Sequence, residues 1–171
     1  MKRICTLLLL IIMILPITTY GAEEKEAIYS PQNVKINGKE VPLKGYNIEG
    51  NNYYRLRDVA KYFKDTMCAF EVGYQENTKT IILRVPLGRK PVLKDTPMIK
   101  KTDGIGYPSK SKLQVEIQDI LVYDLAKGKP KAYVIEDYTF FRLRDLAEFL
   151  LFDIGYDQKT NTVLIGTEET F

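Results

Sequence analysis

The chain contains one pattern written twice. Tyr46-Asn47-Ile48-Glu49 and the run Tyr54 to Ala60 return as Tyr133-Val134-Ile135-Glu136 and Phe141 to Ala147, 87 residues further on. Downstream, Phe70-Glu71-Val72-Gly73-Tyr74 returns as Phe152-Asp153-Ile154-Gly155-Tyr156, and Thr78 to Ile82 as Thr160 to Leu164, now 82 residues on. The first copy therefore holds five extra residues just after its helix-like segment. Such a chain is read as a tandem of one small fold, and short tandems suit binding, spacing or assembly better than catalysis.

The N-terminus reads as a secretory signal over residues 1–21. Lys2 and Arg3 precede an apolar run from Ile4 to Leu15, Pro16 ends it, and Thr19 and Gly21 supply small residues for cleavage. The run is short of the ~20 residues a membrane span needs. An uncleaved anchor is the alternative, and no other stretch could span a membrane. About 150 residues remain, enough for one ordinary domain or two very small ones. Loss of Lys2 and Arg3 lowers the formal net charge from +3 to +1. So balanced a chain carries no electrostatic footprint for nucleic acid. Cys68 would be the one cysteine left, so no internal disulfide is expected; a half-buried thiol or an intermolecular bridge are the open readings.

Each copy has the same local signals. In the first, Val34 and Ile36 alternate with polar residues and Asn37-Gly38 marks a hairpin turn. Tyr46 to Glu49 and Tyr53 to Leu56 read as further strands. Leu56, Val59, Ala60 and Phe63 then fall on one face of a short helix. Leu143, Leu146, Ala147 and Leu150 repeat it. A helix of two to three turns is marginal alone and must pack on a sheet. Two strands follow in each copy. Hairpins dominate around a single helix, which predicts an α+β fold: two repeated units, each a small antiparallel sheet packed around one short helix. The units are placed at 32–86 and 112–168, with a linker rich in Pro and Gly at 87–111. Glu23 to Pro31 reads as polar and loose. Leu113 to Ile135 offers one more strand than the first copy, so the units are either independent or exchange strands.

The run from Tyr46 through Gly50-Asn51-Asn52 to Arg55-Leu56-Arg57-Asp58-Val59-Ala60 resembles the core of bacterial copper amine oxidase N-terminal-like domains, also called stalk domains. Val34 to Val41, with its Asn-Gly hairpin, is similar to the opening of that family. Phe70 to Tyr74 and Asn77 to Ile82 are similar to its close, with Tyr74 where Trp is common. The second copy matches through Tyr133 to Ile135, Phe141 to Ala147 and Phe152 to Ile165, but lacks the Asn-Gly turn and the Gly-Asn-Asn triplet. The resemblance implies a small antiparallel sheet on one helix, exported by bacteria and used in tandem beside envelope enzymes.

The family's copper and oxidase chemistry does not follow. The chain has no histidine, the usual ligand of type-2 copper and of zinc. A Ser-His or Cys-His nucleophile is lost with it. The carboxylates Glu49 and Asp58, with Glu136 and Asp145, recur in both copies and are the remaining catalytic option. Each also has an ordinary structural role at a strand end or a helix start. No catalytic, cofactor or metal residue is assigned, and no cofactor is expected. The repeated Arg-Leu-Arg-Asp motif is the sharpest polar feature. Arg55, Arg57, Arg142 and Arg144 could grip carboxylates or phosphates of wall polymers through guanidinium forks. They could equally pair with neighbouring acids and pin helix to sheet. Tyr53 and Tyr138, next to the turn before the short aromatic strand, are the rings expected to be exposed for sugar stacking. The expectation is a non-enzymatic exported module that binds or spaces at the envelope, its partner a cell-wall polymer or another envelope protein. A self-assembling surface protein joined through sheet edges is the alternative, and a carboxylate-based hydrolase accessory the remote one.

Overall fold

The computed structural model describes residues 23–30, 32–117, 120–124 and 130–167. The signal-like segment lies outside the described residues. Fourteen strands and two helices occur among them, and they repeat in order. The first copy runs β1 (Lys25–Tyr29), β2 (Asn33–Ile36), β3 (Lys39–Val41), β4 (Tyr46–Ile48), β5 (Asn51–Arg55), α1 (Leu56–Phe63), β6 (Glu71–Gln75) and β7 (Thr80–Val85). The second runs β8 (Gly104–Pro108), β9 (Lys112–Ile117), β10 (Ile120–Asp124), β11 (Ala132–Ile135), β12 (Tyr138–Arg142), α2 (Arg144–Leu150), β13 (Asp153–Asp157) and β14 (Thr162–Gly166).

The turns explain the hairpins. Asn37 and Gly38 both take positive φ, at 50° and 76°, as a two-residue turn between β2 and β3 requires. Glu49-Gly50 does the same before β5, and Glu136-Asp137 before β12. Both helices bury the apolar stripe that their spacing predicts: Leu56, Val59, Ala60 and Phe63 on α1, Leu146 and Leu150 on α2.

The architecture differs from the expected pair of helix-packed sheets. Six strands, three from each copy, close a barrel in the order β1-β4-β5-β12-β11-β8. Two four-stranded sheets flank it, ordered β10-β9-β7-β6 and β13-β14-β2-β3. Each of these takes a hairpin from the other copy. The β2–β3 hairpin joins β14, with Val34 opposite Val163, and the β9–β10 hairpin joins β7, with Leu113 opposite Ile81. Both junctions are parallel, so the sheets are mixed rather than antiparallel. The fold is mostly β, and strand exchange is its organising feature. A solitary unit would leave β1 and β5 as open edges of its β1-β4-β5 sheet, whereas barrel closure pairs them with β8 and β12.

Glu23 to Pro31, expected to be loose, contributes β1, which pairs with both β4 and β8. Within the stretch expected as linker, β8 completes the barrel.

The registers obey an approximate two-fold axis. Across β5 and β12, Tyr54 faces its own counterpart Phe141, while Arg55 faces Phe140 and Tyr53 faces Arg142. Across β1 and β8, Glu26 faces Ile105, flanked by Lys25 with Gly106 and Ala27 with Gly104. These are isologous contacts, the kind two identical chains make.

The two central strands are buried on both faces. Tyr53 and Phe140 point into the barrel with Ala27, Tyr46, Ile48 and Ile135. Tyr54 and Phe141 point the other way, into a larger core that holds both helices and both flanking sheets. Phe63 of α1 meets Phe152 of the second copy edge-on at 5.3 Å between ring centres. One core therefore serves both copies.

Candidate functional site

The Arg-Leu-Arg-Asp motif sits where a barrel strand turns into a helix, and its two arginines part company there. Arg55, the last residue of β5, is buried. Its Nε donates to Asp58 Oδ2 at 2.7 Å and one terminal nitrogen to Asp58 Oδ1 at 3.1 Å. That nitrogen also donates to the Pro97 carbonyl, and the guanidinium lies 4.7 Å from the centre of the Tyr138 ring. Arg142 repeats the arrangement: its Nε donates to Asp145 at 2.9 Å and it reaches the Asn51 side chain at 3.4 Å. Asp145 also accepts the Lys131 backbone N–H at 2.8 Å. The first arginine of each motif is thus a structural clasp.

The second arginine is free. Neither Arg57 nor Arg144 has a hydrogen bond or ion pair among the described residues. Each lines a surface cleft, and the two clefts are related by the two-fold. The first, of about 350 Å³, sets Arg57, Tyr74 and Ile81 of the first copy against Asp137, Tyr138 and Thr139 of the second. The other, of about 260 Å³, sets Arg144, Tyr156 and Val163 of the second copy against Gly50, Asn51 and Asn52 of the first. Each cleft is assembled from both copies because the barrel brings each hairpin turn beside the opposite helix start. Tyr74 and Tyr156 occupy equivalent positions and are 46% and 44% exposed.

The expected aromatic pair divides. Tyr138 is 36% exposed and stands at the rim of the Arg57 cleft. Tyr53 is 2% exposed and packs edge-on against Tyr133 inside the barrel, 5.2 Å between ring centres. Burial pushes its hydroxyl pKa up to about 12. It offers no ring face to a ligand, because β5 is covered on both sides.

Sequence reasoning did not single out Tyr74, Tyr156 or Asp137. The recurring Gly73-Tyr74 and Gly155-Tyr156 pairs were visible signals for the first two. For Asp137 the signal was an acid standing where the first copy has Gly50.

The repeated carboxylates are engaged separately. Glu49 pairs with Lys25 at 2.8 Å, which draws its carboxyl below the usual range. Glu136 pairs with Lys100 at 3.0 Å. Asp58 and Asp145 hold the buried arginines. Asp157 caps its own turn by accepting from Thr160 and the Lys159 N–H, which also lowers its pKa. No group of three metal-ligating side chains occurs among the described residues. Cys68 is buried, with Sγ 2.9 Å from the Leu151 carbonyl, and burial pushes its thiol up to about 11.

Fold and site together define a class: a duplicated, strand-exchanged barrel with two quasi-equivalent clefts. No family model, curated protein or solved structure matches the chain. The resemblance to stalk domains rests on the motifs alone.

Proposed function

We propose that this protein is a non-enzymatic exported module that binds or spaces at a bacterial cell envelope, built from two stalk-type repeats and working without copper or oxidase activity. One observation carries the reading. In both copies the second arginine of the motif has no hydrogen bond or ion pair among the described residues and stands in a cleft beside an exposed tyrosine. A guanidinium fork beside an aromatic face suits anionic polymers that also offer apolar surface, as cell-wall polymers do. Arg55 and Arg142 are withdrawn from this role by their carboxylate partners. Arg57 and Arg144 retain it.

Co-sedimentation with purified cell-wall sacculi tests the proposal. The chain is expected to be retained at low salt and progressively released as salt screens the arginines. Replacing Arg57 and Arg144 together by Gln is expected to abolish the salt-sensitive part. Absence of retention by the unmodified chain at any salt overturns wall binding and leaves a spacer or a partner-protein module.

Self-assembly has one observation behind it. The flanking sheets are open, with β3 and β13 at the edges of one and β6 and β10 at the edges of the other. A monomer in sedimentation velocity at high concentration sinks that alternative.

A further inference from the structure

The two clefts share a position in the fold but not a chemistry. In the Arg144 cleft the polar side chains around Arg144 satisfy one another. Asn52 donates to Gln32, Gln32 reaches the Tyr156 hydroxyl at 3.5 Å, and that hydroxyl donates to Asn161 at 2.7 Å. Asn51 takes the hydrogen bond from Arg142. In the Arg57 cleft the corresponding groups are unspent. The Arg57 guanidinium, the Asp137 carboxylate and the hydroxyls of Thr139, Tyr74 and Tyr138 have no hydrogen bond or ion pair among the described residues. Leu56, Ile81 and Phe141 give this cleft buried apolar lining. Its two opposite charges do not neutralise each other.

Asp137 adds a second line of argument. It sits at φ 67°, in the left-handed region, which Asp tolerates better than most side chains and glycine better still. At the same place in the first copy stands Gly50, at φ 77°, which takes that conformation without penalty. The turn therefore folds more readily with glycine, yet here it carries a carboxylate into a cleft. The turn thus gives the Arg57 cleft a carboxylate that the Arg144 cleft lacks.

We propose that the Arg57 cleft binds a small zwitterionic ligand, an amino acid or short peptide with a free carboxylate and a free ammonium group. The ligand carboxylate pairs with Arg57 and its ammonium with Asp137. The intervening carbon skeleton lies on the apolar lining between Tyr74 and Tyr138. A volume of about 350 Å³ is at the lower end for small-molecule sites and suits a ligand of this size. The proposal deepens the wall-binding reading, since peptide stems of bacterial walls carry both groups, and rests on it for the ligand's source.

The test is calorimetric titration of the full chain at low salt with the tripeptide Ala-Lys-Ala. Two blocked forms accompany it, one with both amines acetylated and one with the C-terminus amidated. The free peptide is expected to bind and each blocked form to bind about tenfold more weakly or worse, the loss typical of a charged hydrogen-bond partner. Arg57→Gln and Asp137→Gly are each expected to lose affinity by about the same factor, and Lys94→Gln, at an exposed residue that lines neither cleft, to lose none. Asp137→Gly is also expected to keep or raise the thermal midpoint, so its loss of binding cannot be misfolding. Failure of the unmodified chain to bind the free peptide overturns the proposal. So does equal binding of the blocked forms, or an equal loss in Lys94→Gln. Sacculus retention without peptide binding sinks this proposal and leaves wall binding standing; peptide binding without retention does the reverse.

Discussion

Arg55 and Arg57 are two residues apart and chemically identical, yet the fold gives them opposite roles. Arg55 closes the corner between barrel and helix through Asp58, the Pro97 carbonyl and the Tyr138 ring. Arg57 touches no polar partner among the described residues. Removing one member of a buried ion pair strands the other charge, which costs about 3 kcal/mol or more. Arg55→Ala is therefore expected to lower stability by roughly that amount. Arg57→Ala is expected to stay within about 0.5 kcal/mol, as surface changes usually do. Urea unfolding of the two variants measures the difference, and equal losses would refute the division. The sequence showed that the motif mattered because it recurred. It could not show which guanidinium was committed, since Tyr138 and Pro97 lie 83 and 42 residues beyond Arg55. Tyr53 illustrates the same blindness. A tyrosine beside a turn is expected to be exposed, and only the closure of a barrel around it buries it.

Among the elements, the β2–β3 hairpin depends most on a distant partner. Asn37 in its turn donates its side-chain amide to Thr167 at 2.8 Å and accepts the Thr167 N–H at 2.9 Å. Its own N–H donates to the Ile165 carbonyl. The turn of the first copy is thus stitched to the last strand of the second. Asn37→Ala removes those side-chain bonds and puts a less tolerant residue at positive φ. The expected cost is about 2 kcal/mol, read as a shift in the urea midpoint. An unchanged midpoint would mean that the swapped hairpin adds nothing to stability. Local signals located this hairpin, both helices and the β6–β7 and β13–β14 pairs, because period and turn chemistry are properties of neighbours in sequence. They failed for β1 and β8. Lys25-Glu26-Ala27-Ile28-Tyr29 and Gly104-Ile105-Gly106-Tyr107-Pro108 show too little alternation to announce strands. Gly106 is small for a reason no neighbour reveals: a Cβ there would lie 3.1 Å from Ile48 and 3.3 Å from Tyr133. The candidate site was half legible. Its arginines stood in the motif, but the facing wall came from the other copy.

At the scale of the whole molecule, neither copy owns a complete sheet. The connection between β7 and β8 is held to the first copy by Thr96 on Asp58 and the Val92 N–H on Glu71, and to the second by Lys100 on Glu136. It contributes no strand before Gly104. Cleaving the chain within 87–96 is expected to leave the fragments associated and folded in gel filtration, because barrel and both mixed sheets hold them together. Either fragment alone is expected to be unfolded or to pair with itself. A folded monomeric fragment would show that the exchange is dispensable.

That exchange separates the unit of duplication from the unit of folding. A copy excised at its sequence borders and grafted into another protein would arrive with a hairpin that fits only a sister copy, and with a gap only a sister's hairpin fills. Shuffling of single copies is therefore penalised, while doubling is favoured. Because the pairings across the axis are those of like with like, an ancestor of half the length could have built the same body from two separate molecules. Joining such molecules end to end would remove the need to find a mate, and would free the two clefts to differ.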